Sequence, residues 1–230
     1  MDIEVLSLLG RILRYVGWVF LPFLLLPMLT LIWPKSTTLA GFQSAVISII
    51  DAFNMWVGEA VKWLLVSMVL GVAFATIALS IFGQSWPKLD ESVIYMHASV
   101  IFLGSAATLL AGQHVRVDIF HSRMKPTAKA LVDILGFFAL LVPFCLVLLW
   151  NSQSFISLAW VSLEGSTESS GIQGVYILKT FMGVFAVTML VQGLSIACRA
   201  AMCLAGQDAP PLPRHIDPML DEHEHLEAGL

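Results

Sequence analysis

Long apolar stretches separated by short polar links dominate the pattern of this chain. Five of them are long enough to cross a bilayer, which takes about 20 residues as a helix because each backbone polar group must be hydrogen-bonded within the segment. They contain no charged side chain apart from one histidine, His97, which can carry a partial charge. The stretches cover residues 15–34, 64–82, 92–113, 134–163 and 180–198. The pattern therefore predicts an all-α, polytopic membrane protein.

The first apolar stretch is expected to form an extra N-terminal hydrophobic helix in front of four core transmembrane helices. Pro22 and Pro27 would kink this helix without forbidding it. A cleaved signal peptide is disfavoured, because the run is too long and the chain begins with acidic residues. Since Arg11 and Arg14 precede the stretch, a segment that enters the membrane and turns back at its prolines is the alternative to a full crossing.

A different pattern lies between the first two stretches. Apolar residues recur there at helical spacing, and polar residues occupy another face. We interpret this segment as an amphipathic helix lying in the membrane interface, with a helix packed on a soluble partner as the alternative. The apolar residues are Phe42, Val46, Ile49, Phe53 and Trp56, and the polar residues are Gln43, Asp51 and Asn54.

Composition and charge agree with a chain solvated by lipid. Hydrophobic residues make up 58% and charged residues 12% of the chain, whereas soluble domains are about a quarter charged. The net charge of −4 and the absence of a basic run disfavour binding to nucleic acid.

Basic residues predict the orientation, because cytoplasmic links are enriched in Lys and Arg. The link between the third and fourth stretches and the segment after the fifth carry six of the 12 basic residues, so both are expected in the cytoplasm, together with the C-terminus. The links 83–91 and 152–174 are expected outside. The basic residues are Arg116, Arg123, Lys125, Lys129, Arg199 and Arg214.

The densest polar cluster of the membrane region closes the third stretch and contains His114, Arg116 and Asp118. An Arg–carboxylate pair there could anchor a helix end, and a stop signal with Arg116 reaching the headgroups is the simpler interpretation. Glu91 opens the same stretch, where the helix dipole favours an acid. Lys179 could pair with Glu164 or Glu168, or lie in the interface.

His97 could be a ligand or a proton relay, although one interhelical hydrogen bond is the commoner use of such a residue. A transporter that carries its own sites usually has polar residues near the bilayer midplane, and the midplane positions here are apolar. Nucleotide-binding, nucleophile-elbow and zinc-protease motifs are also lacking. We therefore predict no catalytic, cofactor-binding or metal-binding residue, and a helper or scaffold rather than an enzyme.

Several motifs resemble the small membrane (DctQ-like) subunit of tripartite ATP-independent periplasmic (TRAP) transporters, in its longer organic-acid or mannitol–chloroaromatic type. The most specific motif is LLAGQHVRVDIF at 109–120, accompanied by LGSAA at 103–107 and GIQGVYILK at 171–179. The resemblance covers about residues 45–205. It suggests a division into an extra N-terminal helix (1–40), a small-permease domain (41–205) and a cytoplasmic tail expected to be disordered (206–230).

The resemblance implies a role in sodium-coupled uptake across the bacterial inner membrane. Such subunits pair with a large permease subunit that holds the substrate and sodium sites, while a periplasmic solute-binding protein delivers the substrate. This chain would brace the large subunit and help to dock the binding protein through segment 152–174, with Glu91, His114, Arg116 and Asp118 as structural or interface candidates. The alternative function is a membrane anchor of an electron-transfer complex, and on either interpretation the substrate is determined elsewhere.

Overall fold

The computed structural model describes residues 21–112 and 124–211, and these residues form helices without any β-strand. A 3₁₀ turn at Leu21–Leu25 precedes α1 (Leu26–Ile32), α2 (Thr37–Phe82), α3 (Pro87–Leu110), α4 (Pro126–Gly136), a π-helical turn (Phe137–Leu141), α5 (Val142–Ser162) and α6 (Val175–Leu204). Four helical stretches are long and apolar enough to cross a membrane: α2, α3, the continuous helix Pro126–Ser162, and α6. The prediction of an all-α polytopic membrane protein is confirmed.

The expected interfacial helix is not a separate element, because α2 runs unbroken for 46 residues and joins it to the second apolar stretch. The Ser36 hydroxyl caps the start of α2 by accepting from the Leu39 amide, and Gly83 ends the helix in a left-handed conformation. No proline lies between these two signals, so nothing in the sequence stops the helix at the junction. At 1.5 Å per residue α2 is about 69 Å long, more than twice the thickness of a hydrocarbon core.

The first half of α2 turns its polar face inward. Gln43, Asp51 and Asn54 are buried, whereas the aromatic face that includes Phe53 and Trp56 is exposed. The two predicted faces are therefore both present. The polar face packs against other helices of the bundle, and the apolar face is left for lipid or for another protein.

A proline explains the π-helical turn in the helix Pro126–Ser162. Pro143 has no amide hydrogen to donate to the carbonyl of residue 139, and its ring crowds that carbonyl. One wide turn just before the proline accommodates the defect while the helix continues. Gly193 of α6 lies against this turn, where a Cβ atom would be only 3.0 Å from the Phe137 ring.

Helix α6 is the centre of the bundle. It has 11 buried residues, compared with six in the longer α2. Leu194, Cys198 and Met202 pack with Leu26 of α1 and Ile47 of α2 in one core cluster. Helix α6 therefore joins the N-terminal elements to the rest of the chain.

The bundle has two distinct ends. We call the end formed by links 83–86 and 163–174 the loop end, and the end formed by links 33–36 and 205–211 the tail end. The Gln207 side chain donates to the Pro34 carbonyl at 2.6 Å at the tail end. At the loop end, links 83–86 and 163–174 lie within the two segments that the basic residues grouped on one side of the membrane.

The N-terminal stretch is described only from residue 21, with Pro27 in the first turn of α1. Whether residues 15–34 cross the membrane therefore stays a prediction. The proposed boundary at residues 40/41 falls inside the first turns of α2, and the division into segments otherwise stays a prediction as well.

Candidate functional site

A buried carboxylate at the tail end has the most polar partners of any side chain that we find in the bundle. Asp51 is 2% exposed and forms an ion pair with Arg199, whose side chain is 17% exposed. Its second carboxylate oxygen accepts from the Ser195 hydroxyl at 2.7 Å and from the Gln192 amide at 3.1 Å. Three side chains of α6 thus converge on one side chain of α2.

Helical spacing explains how these groups meet. Residues 192, 195 and 199 follow one another at spacings of three and four on α6, so they share one face. Asp51 and Asn54 share the facing side of α2 for the same reason. The Asn54 amide donates to the Gln192 side-chain carbonyl at 2.7 Å, so Gln192 is held from both sides. We call these five residues the Asp51 cluster.

Two further polar contacts join the N-terminal elements and the tail to the bundle. The Thr30 hydroxyl of α1 donates to the Gln43 carbonyl oxygen of α2 at 2.6 Å, and both side chains are fully buried. Arg199 also donates to the backbone carbonyl of Pro210. One end of the bundle is thereby joined through polar side chains of α1, α2, α6 and the segment after α6.

The chemistry of the Asp51 cluster fits the fastening of helices. A buried charge must be paired and hydrogen-bonded to be tolerated, and both carboxylate oxygens of Asp51 have protein donors. The acceptor capacity of the carboxylate is directed at α6 rather than at an open cleft. Nor do the described residues bring together three or more His, Cys, Asp or Glu side chains that could hold a metal ion.

A second polar contact closes the loop end. Glu91 in the first turns of α3 accepts from the Ile172 amide at 2.5 Å and from the Ser166 hydroxyl. Gly171 lies so close that a Cβ atom there would come within 2.5 Å of a Glu91 carboxylate oxygen. One carboxylate of α3 therefore holds link 163–174 at two points.

The same link is tied to α5 and α6 as well. Lys179 of α6 pairs with Glu164 at 2.5 Å, which decides between the alternatives that the sequence left open for this lysine. The Trp160 indole of α5 donates to the Thr180 hydroxyl at 2.8 Å. The link is thus held at its start, and the ends of three helices are joined there.

The family model described as "Tripartite ATP-independent periplasmic transporters, DctQ component" matches residues 68–205, more than half of the chain. The chain belongs to this family. No curated protein and no solved structure matches it.

The family match divides the Asp51 cluster. Gln192, Ser195 and Arg199 lie inside the matched region, whereas Asp51 and Asn54 precede its first residue. The part of this DctQ-family chain that precedes the match is therefore fastened to the matched part by buried polar groups.

The candidate residues from the sequence are only partly described. Glu91 lies at the loop end and holds link 163–174, a contact that sequence reasoning did not specify. His114, Arg116 and Asp118 lie outside the described residues, so their assignment as structural or interface residues stays a prediction. His97 is exposed on α3.

Sequence reasoning did not single out the Asp51 cluster. The available signal was an acid on the polar face of an amphipathic segment, together with an arginine that closes the last apolar stretch. Asp51 and Arg199 are 148 residues apart, and no pattern in one sequence joins them.

Proposed function

We propose that this chain is the small membrane subunit of a TRAP transporter and serves as a static brace for the large permease subunit. The family match over residues 68–205 carries this proposal. In this role the large subunit holds the substrate and sodium sites, and the small subunit is not an enzyme. The electron-transfer anchor that the sequence left open has no comparable support, because the family is one of transport components.

The way the bundle uses its polar groups supports a bracing role. Asp51, Asn54 and Gln192 are buried and hydrogen-bonded to one another or to α6, so they hold helices together. Such contacts rigidify a bundle because each partner would be left unsatisfied if the helices moved apart. A static scaffold needs this property.

The charged residues of α6 indicate which part of this helix lies in the bilayer. Its only charged residues, Lys179 and Arg199, are 20 residues apart, about 30 Å along the axis. That distance equals the thickness of a typical hydrocarbon core. We infer that the loop end faces the periplasm and the tail end the cytoplasm of a bacterial inner membrane, in agreement with the distribution of basic links.

Link 163–174 is the proposed docking surface for the periplasmic solute-binding protein. Residues 167–170 are exposed and polar, and Glu91 holds the link through the Ile172 amide. A surface held in this way presents a constant shape, which lowers the entropic cost of binding. We extend the proposal to sodium-coupled uptake of an organic acid, with the substrate selected by the partners.

Purification of the tagged chain from its native membrane in mild detergent tests the bracing proposal. We expect a polytopic permease of the same transporter family to co-purify in about equimolar amount. A haem or flavoprotein complex in its place would establish the anchor function and refute ours. Reconstituted liposomes then report whether uptake requires all three components and a sodium gradient.

The docking proposal has its own test. Replacement of residues 167–170 by glycine and serine should leave the complex with the large subunit intact and weaken binding of the solute-binding protein. The matched control replaces the exposed residues Gln84 and Ser85 of the neighbouring link. If both variants bind the solute-binding protein with the same affinity, link 163–174 is excluded as the docking surface.

A further inference from the structure

One face of α3 points away from the bundle and differs from the other outward faces. Asp90, Ile94, His97 and Ile101 are exposed at spacings of four, three and four residues, which places them on one stripe. The opposite side of α3 packs against α2 and α6, where Phe102 contacts Phe185. The stripe is therefore the part of α3 that no described element of this chain covers.

His97 is the unusual member of the stripe. It lies six residues beyond Glu91, about 9 Å along the axis, inside the apolar stretch 92–113. No described residue forms a hydrogen bond with its imidazole. Exposed hydroxyl groups in these helices are hydrogen-bonded within their own helix, as when Ser67 donates to the Trp63 carbonyl one turn earlier. The imidazole of His97 makes no such bond in the structure, so inside hydrocarbon its partner has to come from outside α3.

The outward faces of neighbouring helices show what lipid-facing positions look like in this chain. On the helix Pro126–Ser162 they carry large apolar side chains down to Trp150: Leu135, Leu140, Phe144 and Val147. On the second half of α2 they include Val69, Leu70, Phe74, Ile77 and Ile81. Helix α3 has only two large apolar side chains on its exposed stripe, Ile94 and Ile101, and a polar ring lies between them.

We propose that the α3 stripe is the contact surface for a transmembrane helix of the large permease subunit, and that a polar group of that helix hydrogen-bonds with His97. This inference rests on the proposed bracing function. An intramembrane hydrogen bond satisfies the imidazole, which hydrocarbon cannot do. Ile94 and Ile101 would pack on either side of it, one turn away in each direction.

Site-specific photocrosslinking of the complex tests the location of the contact. A photoreactive amino acid at Ile94 or Ile101 should crosslink to the large subunit, and the same amino acid at Leu140 or Val147 should not. If the wild-type chain does not co-purify with a permease, the bracing function and this inference both fall. If it does co-purify but crosslinks arise from Leu140 or Val147 and not from α3, only the inference is refuted. A crosslink from α3 to this chain itself would refute it equally.

The substitution His97→Leu tests the role of His97, because its effect on the complex differs between a contact with the partner and a position facing lipid. If the imidazole faces the partner, His97→Leu should weaken the complex about 3- to 20-fold. These two limits correspond to the average and the maximum free energy measured for intramembrane hydrogen bonds. His97→Gln, which can still donate and accept, should retain most of the affinity, and Val147→Leu is the matched control. If His97 faces lipid or headgroups, leucine should leave the complex unchanged or tighten it, and that result would overturn the proposal. The thermal stability of the isolated His97→Leu chain reports separately that the bundle folds.

Discussion

Replacement of Asp51 by alanine should destabilise the bundle more than any comparable single change at its surface. The substitution removes the carboxylate that pairs with Arg199 and that accepts from Ser195 and Gln192. Because Gln192 and Ser195 are buried, these two donors lose their acceptor without gaining access to bulk water, and Arg199 loses its charged partner.

The magnitude follows from the number and setting of these contacts. Hydrogen bonds between transmembrane helices average about 0.6 kcal/mol with a maximum near 1.7, so three contacts amount to about 2–5 kcal/mol. Breaking a buried ion pair from one side costs about 3–5 kcal/mol. Arg199 is 17% exposed and can reach toward the headgroups, which lowers the loss. We therefore expect a destabilisation of about 3 kcal/mol.

A double-mutant cycle measures the pair directly. The full chain is unfolded by titrating a denaturing detergent into mild detergent micelles, for wild type, Asp51→Asn, Arg199→Gln and the double variant. Asp51→Asn keeps an acceptor for Ser195, so it should lose less stability than the alanine variant. The unfolding free energy of the double variant should be close to that of the less stable single variant, which corresponds to a coupling energy of at least about 1 kcal/mol. Strictly additive losses would show that the ion pair does not fasten α2 to α6.

Three further changes test other contacts. A Cβ at Gly58 would lie 2.6 Å from the Ala107 Cβ, so Gly58→Leu should destabilise the α2–α3 contact by about 1–3 kcal/mol. Gly136 has open space around it, so Gly136→Ala should not destabilise the chain. Thermal unfolding compares the two variants. Glu91→Ala should expose link 163–174 to protease and Glu91→Gln should do so less, and equal cleavage rates in wild type and Glu91→Ala would show that the carboxylate does not hold the link. Leu163 ends α5 with a φ of +46°, a conformation that favours glycine, so Leu163→Gly should raise the unfolding free energy by about 1 kcal/mol; an unchanged or lower value would contradict that assignment of strain.

The lengths of apolar stretches were enough to predict the fold class. A helix satisfies its own backbone within the bilayer, and the second to fifth stretches each lie in a helix that is long and apolar enough to cross a membrane. The period of the amphipathic segment also predicted its two faces. What the pattern did not reveal was that this helix continues as far as Phe82. No proline interrupts it, and Gly58 and Gly71 lie within it without ending it, so the first stop is the left-handed Gly83.

The role of the polar face was beyond the reach of a single sequence. In a soluble protein the polar face of an amphipathic helix meets water, whereas Gln43, Asp51 and Asn54 face the interior here. Whether such a face meets water or other helices depends on partners elsewhere in the chain. For Asp51 and Asn54 those partners are Arg199 and Gln192, and their distance in sequence carries no information about contact. Glu91 illustrates the same limit, since its position at a helix start already had a sufficient local explanation.

The Asp51 cluster indicates where the structural unit that contains the family region begins. The family match starts at residue 68, in the middle of α2, yet the face of α6 around Gln192 and Arg199 has its partners on the half of α2 that lies before that residue. Without that half, the buried Gln192 amide would lose its acceptor and Arg199 would keep only the Pro210 carbonyl, and polar groups or charges left unpaired inside a membrane bundle are costly. Polar side chains of the two helices pair with each other across this contact, so we infer that residues from Thr37 onward form one structural unit with the family region and that α2 acts as a single element.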